Sequence, residues 1–152
     1  MFYIIIILIV IGDQLTKGLI QQSMVLNQSI PVWDGIFSIT YIHNTGAAFS
    51  MLAGKTQVLA LFQVIIIGVI LGYYILKGRK THPLLRISLA MIVAGGIGNL
   101  IDRLTLGYVV DFLDFHFWPI FNVADIGVST GCVLLAGYVF FIEGKEKSGR
   151  QI

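Results

Sequence analysis

The chain has 152 residues, 57% of them apolar and only 12% charged, with a net charge of +2 and a mean hydropathy of +0.88. Soluble domains carry roughly 25% charged residues, so this is the composition of a membrane protein. The small net charge and the lack of a basic stripe interleaved with aromatics give nucleic-acid binding no support. Cys132 is the one cysteine, which excludes an intramolecular disulfide and a cysteine metal cluster; in its apolar run it reads as inert packing.

A bilayer crossing needs about 20 apolar residues, and four stretches qualify: residues 2–20, 58–76, 84–101 and 124–142. The first is interrupted by Asp13 and Lys17. It lacks the basic start and small-residue cleavage site of a secretory leader, so it is expected to be retained. Linkers, repeats and low-complexity runs are missing, and one domain over 1–152 is the economical reading. The expected fold is all-α integral membrane, four transmembrane helices with a small extracytoplasmic β element.

In chain order, Asp13 and Lys17 lie four residues apart and would share a helix face, either pairing with each other or with Lys17 snorkelling to phosphates. Between spans one and two, SIPVW and IFSITYI flank Asp34-Gly35, a turn dipeptide between alternating apolar residues, which predicts a hairpin. In the third span, Gly95, Gly96 and Gly98 allow close helix approach. Asn99 and Arg103 would point the same way, whereas Asp102 lies about 100° round the helix from Arg103. For Arg103, a lipid phosphate and the organisation of a site are both open.

The connection from Asp111 to Asp125 begins strand-like in VVDF and is broken by Pro119. Trp33 and Trp118 suit the headgroup layer. Asn122, three residues before Asp125, reads as a helix cap with a carboxylate in the first turn. Asp111 interrupts an apolar run and is harder to read as a cap.

Orientation follows from Lys and Arg, which stay cytoplasmic. Lys77, Arg79, Lys80 and Arg86 fall between and at the edge of spans two and three, and Lys145, Lys147 and Arg150 in the tail, seven of the ten basic residues. Asp13, Asp34, Asp102, Asp111, Asp114 and Asp125, all the aspartates, gather on the other side. Both termini are therefore expected in the cytoplasm and the acidic groups at the outer face.

Intramembrane carboxylates tend to be functional. Two that share a site cannot easily both ionise, so Asp111 and Asp125 point to a dyad in which one activates water and the other, protonated, polarises a carbonyl. The helix N-terminus favours ionisation of Asp125 and leaves the proton on Asp111. His43, His82 and His116 have no metal-ligand spacing, and no phosphate-binding glycine loop is present, so neither metal nor cofactor is expected.

Five blocks, DQLTK (13–17), NTGAAF (44–49), GGIGNLIDR (95–103), VVDF (109–112) and FNVAD (121–125), resemble in content and order the bacterial lipoprotein signal peptidases, the signal peptidase II family. The resemblance implies an aspartic endopeptidase of the bacterial cytoplasmic (inner) membrane, its site near the outer face. It would remove signal peptides from diacylglyceryl-modified prolipoproteins, cutting just before the lipidated cysteine. The family's catalytic pair falls on Asp111 and Asp125, and its supporting residues on Asp13, Lys17, Asn44, Gly46, Asn99, Arg103 and Asn122. Membrane lipids and globomycin-type inhibitors are the further partners implied, and a monomer is expected. Many members carry a small polar residue directly after the second aspartate; this chain has Ile126. Residues 29–53 are the candidate cover over the site. The alternatives are a proton- or cation-coupled transporter, disfavoured by four spans without an internal repeat, and a non-enzymatic membrane scaffold.

Overall fold

The computed structural model describes residues 1–46, 54–78 and 81–143. Four helices are long and apolar enough to cross a membrane: α1 (Phe2–Ser23), α2 (Thr56–Leu76), α3 (Pro83–Thr105) and α4 (Val123–Tyr138), the last continued by a π-helical stretch, Val139–Glu143. The expected spans are all present, with ends that differ by a few residues. The third runs on to Thr105 rather than stopping at residue 101, which puts Asp102 and Arg103 inside the helix.

Helix α3 is the middle of the bundle. Of its most apolar window 61% is buried inside the protein, against 11% for α1, 11% for α2 and 17% for α4, and each of the other three helices packs against it. Lipid is as apolar as leucine, so close contact between such helices depends on small residues rather than on a hydrophobic drive. A Cβ on Gly95 would run into the Ala124 carbonyl oxygen of α4, and one on Gly131 would sit 2.8 Å from the Ser88 carbonyl oxygen of α3. Gly96 faces Ile67 of α2 instead, and Gly98 faces Asp13 and Ala124. Phe2, Ile6, Tyr74, Leu89, Val93 and Tyr138 belong to the apolar core at the other end of the bundle. Cys132 is exposed on α4, facing outward rather than packed within the protein.

At the end where α1 finishes and α4 starts, three strands form an antiparallel sheet in the order β1-β2-β3: β1 (Ser29–Trp33), β2 (Phe37–Asn44) and β3 (Val109–Asp114). The β1–β2 hairpin turns at Asp34-Gly35, where Gly35 has φ +72°, a conformation glycine adopts without steric penalty. One face of the sheet closes over Met24, the C-cap of α1, through Tyr41, Val110 and Phe112. Strand β3 does not lead straight into α4. The chain turns at His116, φ +57°, and comes back along the strand, so that Leu113 and Phe121 exchange backbone hydrogen bonds of 2.8 and 3.1 Å. That return sets Asn122, the cap of α4, beside Asp111.

Candidate active site

The end of β2, the end of α3, β3, the return loop and the start of α4 enclose a cavity of ≈570 Å³, lined among others by Asn44, Gly46, Asn99, Arg103, Asp111, Trp118 and Asp125. Asp111 and Asp125 thus open on one space, though they lie on different elements. Asp111 is 1% exposed. Its Oδ2 accepts the Asn44 amide at 2.8 Å and its Oδ1 the Asn122 amide at 2.6 Å. Strand pairing explains the first contact: Ile42 is opposite Asp111 and Asn44 opposite Val109, so Asn44 and Asp111 are diagonal neighbours on one face of the sheet.

Asp125 sits in the first turn of α4. Its Oδ1 accepts the Asn99 amide at 2.7 Å and its Oδ2 the backbone N–H of Asn122 at 3.2 Å, while the Asn122 side-chain oxygen accepts the Asp125 N–H at 3.0 Å. The cap expected from spacing is therefore a full capping box, two orphan amides satisfied reciprocally. It coexists with the site, because the Asn122 amide that is not used in capping reaches Asp111.

Behind this pair lies a buried ionic cluster. Lys17, 2% exposed, is 2.8 Å from Asp13 and 3.0 Å from Asp102, and donates to Asn99 Oδ1 at 2.9 Å. Three ammonium hydrogens meet three acceptors. The expected Asp13–Lys17 pair is present; snorkelling of Lys17 to phosphates is excluded, because the side chain is enclosed. Asp13 also accepts the backbone N–H of Ala124 at 2.8 Å, placing a carboxylate at the positive end of α4.

Arg103 turns into the cavity rather than out to lipid. Its Nη2 donates to the Gly46 carbonyl at 2.9 Å and its Nη1 to Gln63 Oε1 at 3.0 Å. Gly46 in turn donates its N–H to Asn44 Oδ1 at 2.9 Å, which fixes the Asn44 amide with its nitrogen toward Asp111. All nine residues singled out from the sequence lie in this connected set. Of the candidate cover, residues 29–46 are the hairpin and its exit; residues 47–53 lie outside the described residues.

Sequence reasoning gave three polar residues no place in the site. Asp102 is 3% exposed, and besides Lys17 it holds the Val110 backbone N–H at 3.0 Å and the Gln14 amide at 3.0 Å. Gln14 also reaches the Gly98 carbonyl at 3.2 Å. Gln63 braces Arg103. The signal available for each was a polar side chain within an apolar span, which is costly unless partnered.

Burial first, and then the neighbouring Asp125 carboxylate, push the Asp111 carboxyl up to about 7, against the lowering influence of the Asn44 and Asn122 hydrogen bonds and of Lys17. A carboxyl so placed is divided between its protonated and ionised forms near pH 7.

The chain and its fold match known proteins over nearly the whole length. The family model described as Signal peptidase (SPase) II matches residues 5–141. A Moorella thermoacetica protein named lipoprotein signal peptidase is 43% identical over 145 residues, 95% of this chain and 96% of that one. A Geobacter sulfurreducens protein of the same name is 50% identical over 131 residues, 82% and 81% of the two chains. A solved structure described as a bacterial membrane enzyme superposes with a TM-score of 0.85 at 32% identity, covering 91% of this chain and 86% of that one. The fold is that of a bacterial membrane enzyme. The chain belongs to the signal peptidase II family of aspartic peptidases. That membership sets aside the transporter and scaffold alternatives.

Proposed function

We propose that this protein removes signal peptides from lipoprotein precursors, cleaving just before a cysteine that carries diacylglycerol, with Asp111 and Asp125 as the reacting pair. The observation that carries this reading is the cavity on which the buried Asp111 and the half-buried Asp125 both open; burial raises the Asp111 carboxyl to about 7. Asp125, fed by Asn99 and the Asn122 N–H, is the base that takes a proton from water. Asp111 donates its proton toward the scissile carbonyl oxygen as that oxygen gains charge. The protons can then be exchanged during collapse of the tetrahedral intermediate, one reaching the leaving amine.

A substrate anchored by acyl chains remains in the bilayer, so its peptide bond meets water only near a membrane surface. The sheet end of the bundle supports such a place, and the basic-residue distribution supports an outer-face position on the bacterial cytoplasmic membrane with both termini inside. The hairpin and its exit, within residues 29–53, are the cover. The protein acts as a monomer among membrane lipids, and globomycin-type cyclic peptides block it.

Purified protein incubated with a diacylglyceryl-modified prolipoprotein should produce the shorter product on a gel. Asp111→Asn and Asp125→Asn, each shown to be folded, should lose at least about 10³-fold in kcat, the scale of removing one member of a reacting unit. Cleavage by either variant near the wild-type rate would remove the dyad.

A further inference from the structure

We infer that Gln63 is a positioning residue for Asp111, acting through Arg103, Gly46 and Asn44. The inference rests on Asp111 and Asp125 being the reacting pair. Its basis is a continuous path of hydrogen bonds from the second helix to the acid: Gln63 Oε1 accepts Arg103 Nη1 at 3.0 Å, Arg103 Nη2 donates to the Gly46 carbonyl at 2.9 Å, the Gly46 N–H donates to Asn44 Oδ1 at 2.9 Å, and Asn44 Nδ2 donates to Asp111 Oδ2 at 2.8 Å. Asp125 is held from the other side, through Asn99 to Lys17, and Asn122 touches both aspartates.

Three features single out Gln63 within this path. It interrupts an apolar run, ALFQVIII, in a helix that is mostly turned outward, and an amide there is expensive unless it does something. Arg103 Nε is buried and finds no partner among the described residues, so Gln63 and the Gly46 carbonyl are the two contacts that aim the guanidinium. Gln63 is also a neutral acceptor. A glutamate there would orient Arg103 equally well but would cancel its charge, whereas glutamine fixes the fork and leaves the positive field on the cavity. The other contact of Gln63, from Nε2 to the Gly96 carbonyl, is 3.5 Å long and too weak to explain the residue by helix packing alone.

The charged and titratable groups around this path come from every neighbouring element: Lys17 and Asp13 from α1, Asp102 and Arg103 from α3, Asp125 from α4 and His43 from β2. Burial holds the His43 imidazole below its ordinary value, which favours its neutral form. Among the described residues α2 adds no charged group to the cavity. A charge introduced at Gln63 therefore changes the balance without replacing an existing one.

The test uses full-length Gln63→Met and Gln63→Glu, with kcat and KM on a diacylglyceryl-modified prolipoprotein measured from pH 5 to 9, beside Tm in the same detergent. Gln63→Met should lower kcat by roughly tenfold, the scale of one oriented contact, with KM within about twofold. Gln63→Glu should keep the geometry but move the alkaline limb of kcat upward by roughly half a pH unit or more, since an added negative charge favours the protonated acid. Unchanged kcat per folded molecule and an unchanged pH profile in both variants would overturn the inference, including where Tm falls, because that is the result of helix packing alone. Asp111→Asn, run alongside, separates the two questions: if it still cleaves, the reacting pair is wrong, and if it is inactive while both Gln63 variants behave as wild type, only the role of Gln63 is.

Discussion

Asn122 Nδ2 lies 2.6 Å from Asp111 Oδ1 while the oxygen of the same amide caps α4 through the Asp125 N–H at 3.0 Å. One side chain thus sets the start of the last helix and a hydrogen bond to Asp111 on the neighbouring strand. Asn122→Ala removes both. The lost cap should destabilise the protein by about 1 kcal/mol. The lost donor, which favours the ionised form, should move the alkaline limb of activity to higher pH. A Tm measurement and a pH–rate profile check the two effects separately; a profile that stays in place would deny the contact to Asp111 any influence on its proton.

The proton on Asp111 has a second consequence, for stability. Its carboxyl is raised from an ordinary 3.8 to about 7, so the folded protein binds a proton that the unfolded chain releases between those values. The resulting stabilisation is complete below pH 3.8 and is lost as pH rises through 7. Asp111→Asn does not titrate. The Tm of wild type minus that of Asp111→Asn should therefore fall steadily between pH 5 and pH 8 in one detergent, and a pH-independent difference would contradict the raised value. Activity should fall about tenfold per pH unit above 7, as the acid is lost.

Lys17 neutralises two buried carboxylates, Asp13 and Asp102. Lys17→Met leaves both without a cation, and breaking such a buried pair costs roughly 3–5 kcal/mol. Removing one of the stranded charges as well, in Lys17→Met with Asp102→Asn, should recover part of that loss. The double-mutant cycle, read from thermal unfolding in detergent, should give a coupling of at least about 1 kcal/mol; additive losses would mean that the three groups do not act together.

The glycines of the bundle differ sharply. A methyl on Gly131 would meet Ile92 Cγ1 at 2.7 Å and the Ser88 carbonyl oxygen at 2.8 Å, and backbone cannot step aside, whereas one on Gly68 meets nothing within 4 Å. Gly131→Ala should cost about 1–3 kcal/mol through forced separation of α3 and α4, and should reduce activity because α4 carries Asp125. Gly68→Ala should be neutral or slightly stabilising. Equal Tm values for the two variants would refute this account of the α3–α4 contact.

Much of the architecture was legible in the residues because its causes are local. Apolar length set the four spans, Asp34-Gly35 set the hairpin, and the four-residue spacing of Asp13 and Lys17 set an ion pair that the structure contains. Asp102 shows where local reasoning stops. Seen along α3 it lacks a partner in Arg103, one residue away, and its actual partners are Lys17, Gln14 and the Val110 N–H, from a helix and a strand that no spacing rule connects to it. Gln63 was missed for the same reason. Its partner is forty residues on, and the only trace in the sequence is an amide where lipid would favour an apolar side chain.

By itself, then, the sequence determined that the chain lies in a membrane, how often it crosses, and which polar side chains are too costly there to be incidental, since solvation and helix period act residue by residue. Only the tertiary structure decided that Lys17 is enclosed and not at a headgroup, that Arg103 faces the cavity, and that Asp111 and Asp125 share it. Those facts depend on the return of the chain from β3 along Phe121 and on the close glycine contacts of α3 with α4. Both bring together groups far apart in the chain, and the resulting burial and neighbouring charge are what raise the Asp111 carboxyl above its ordinary value.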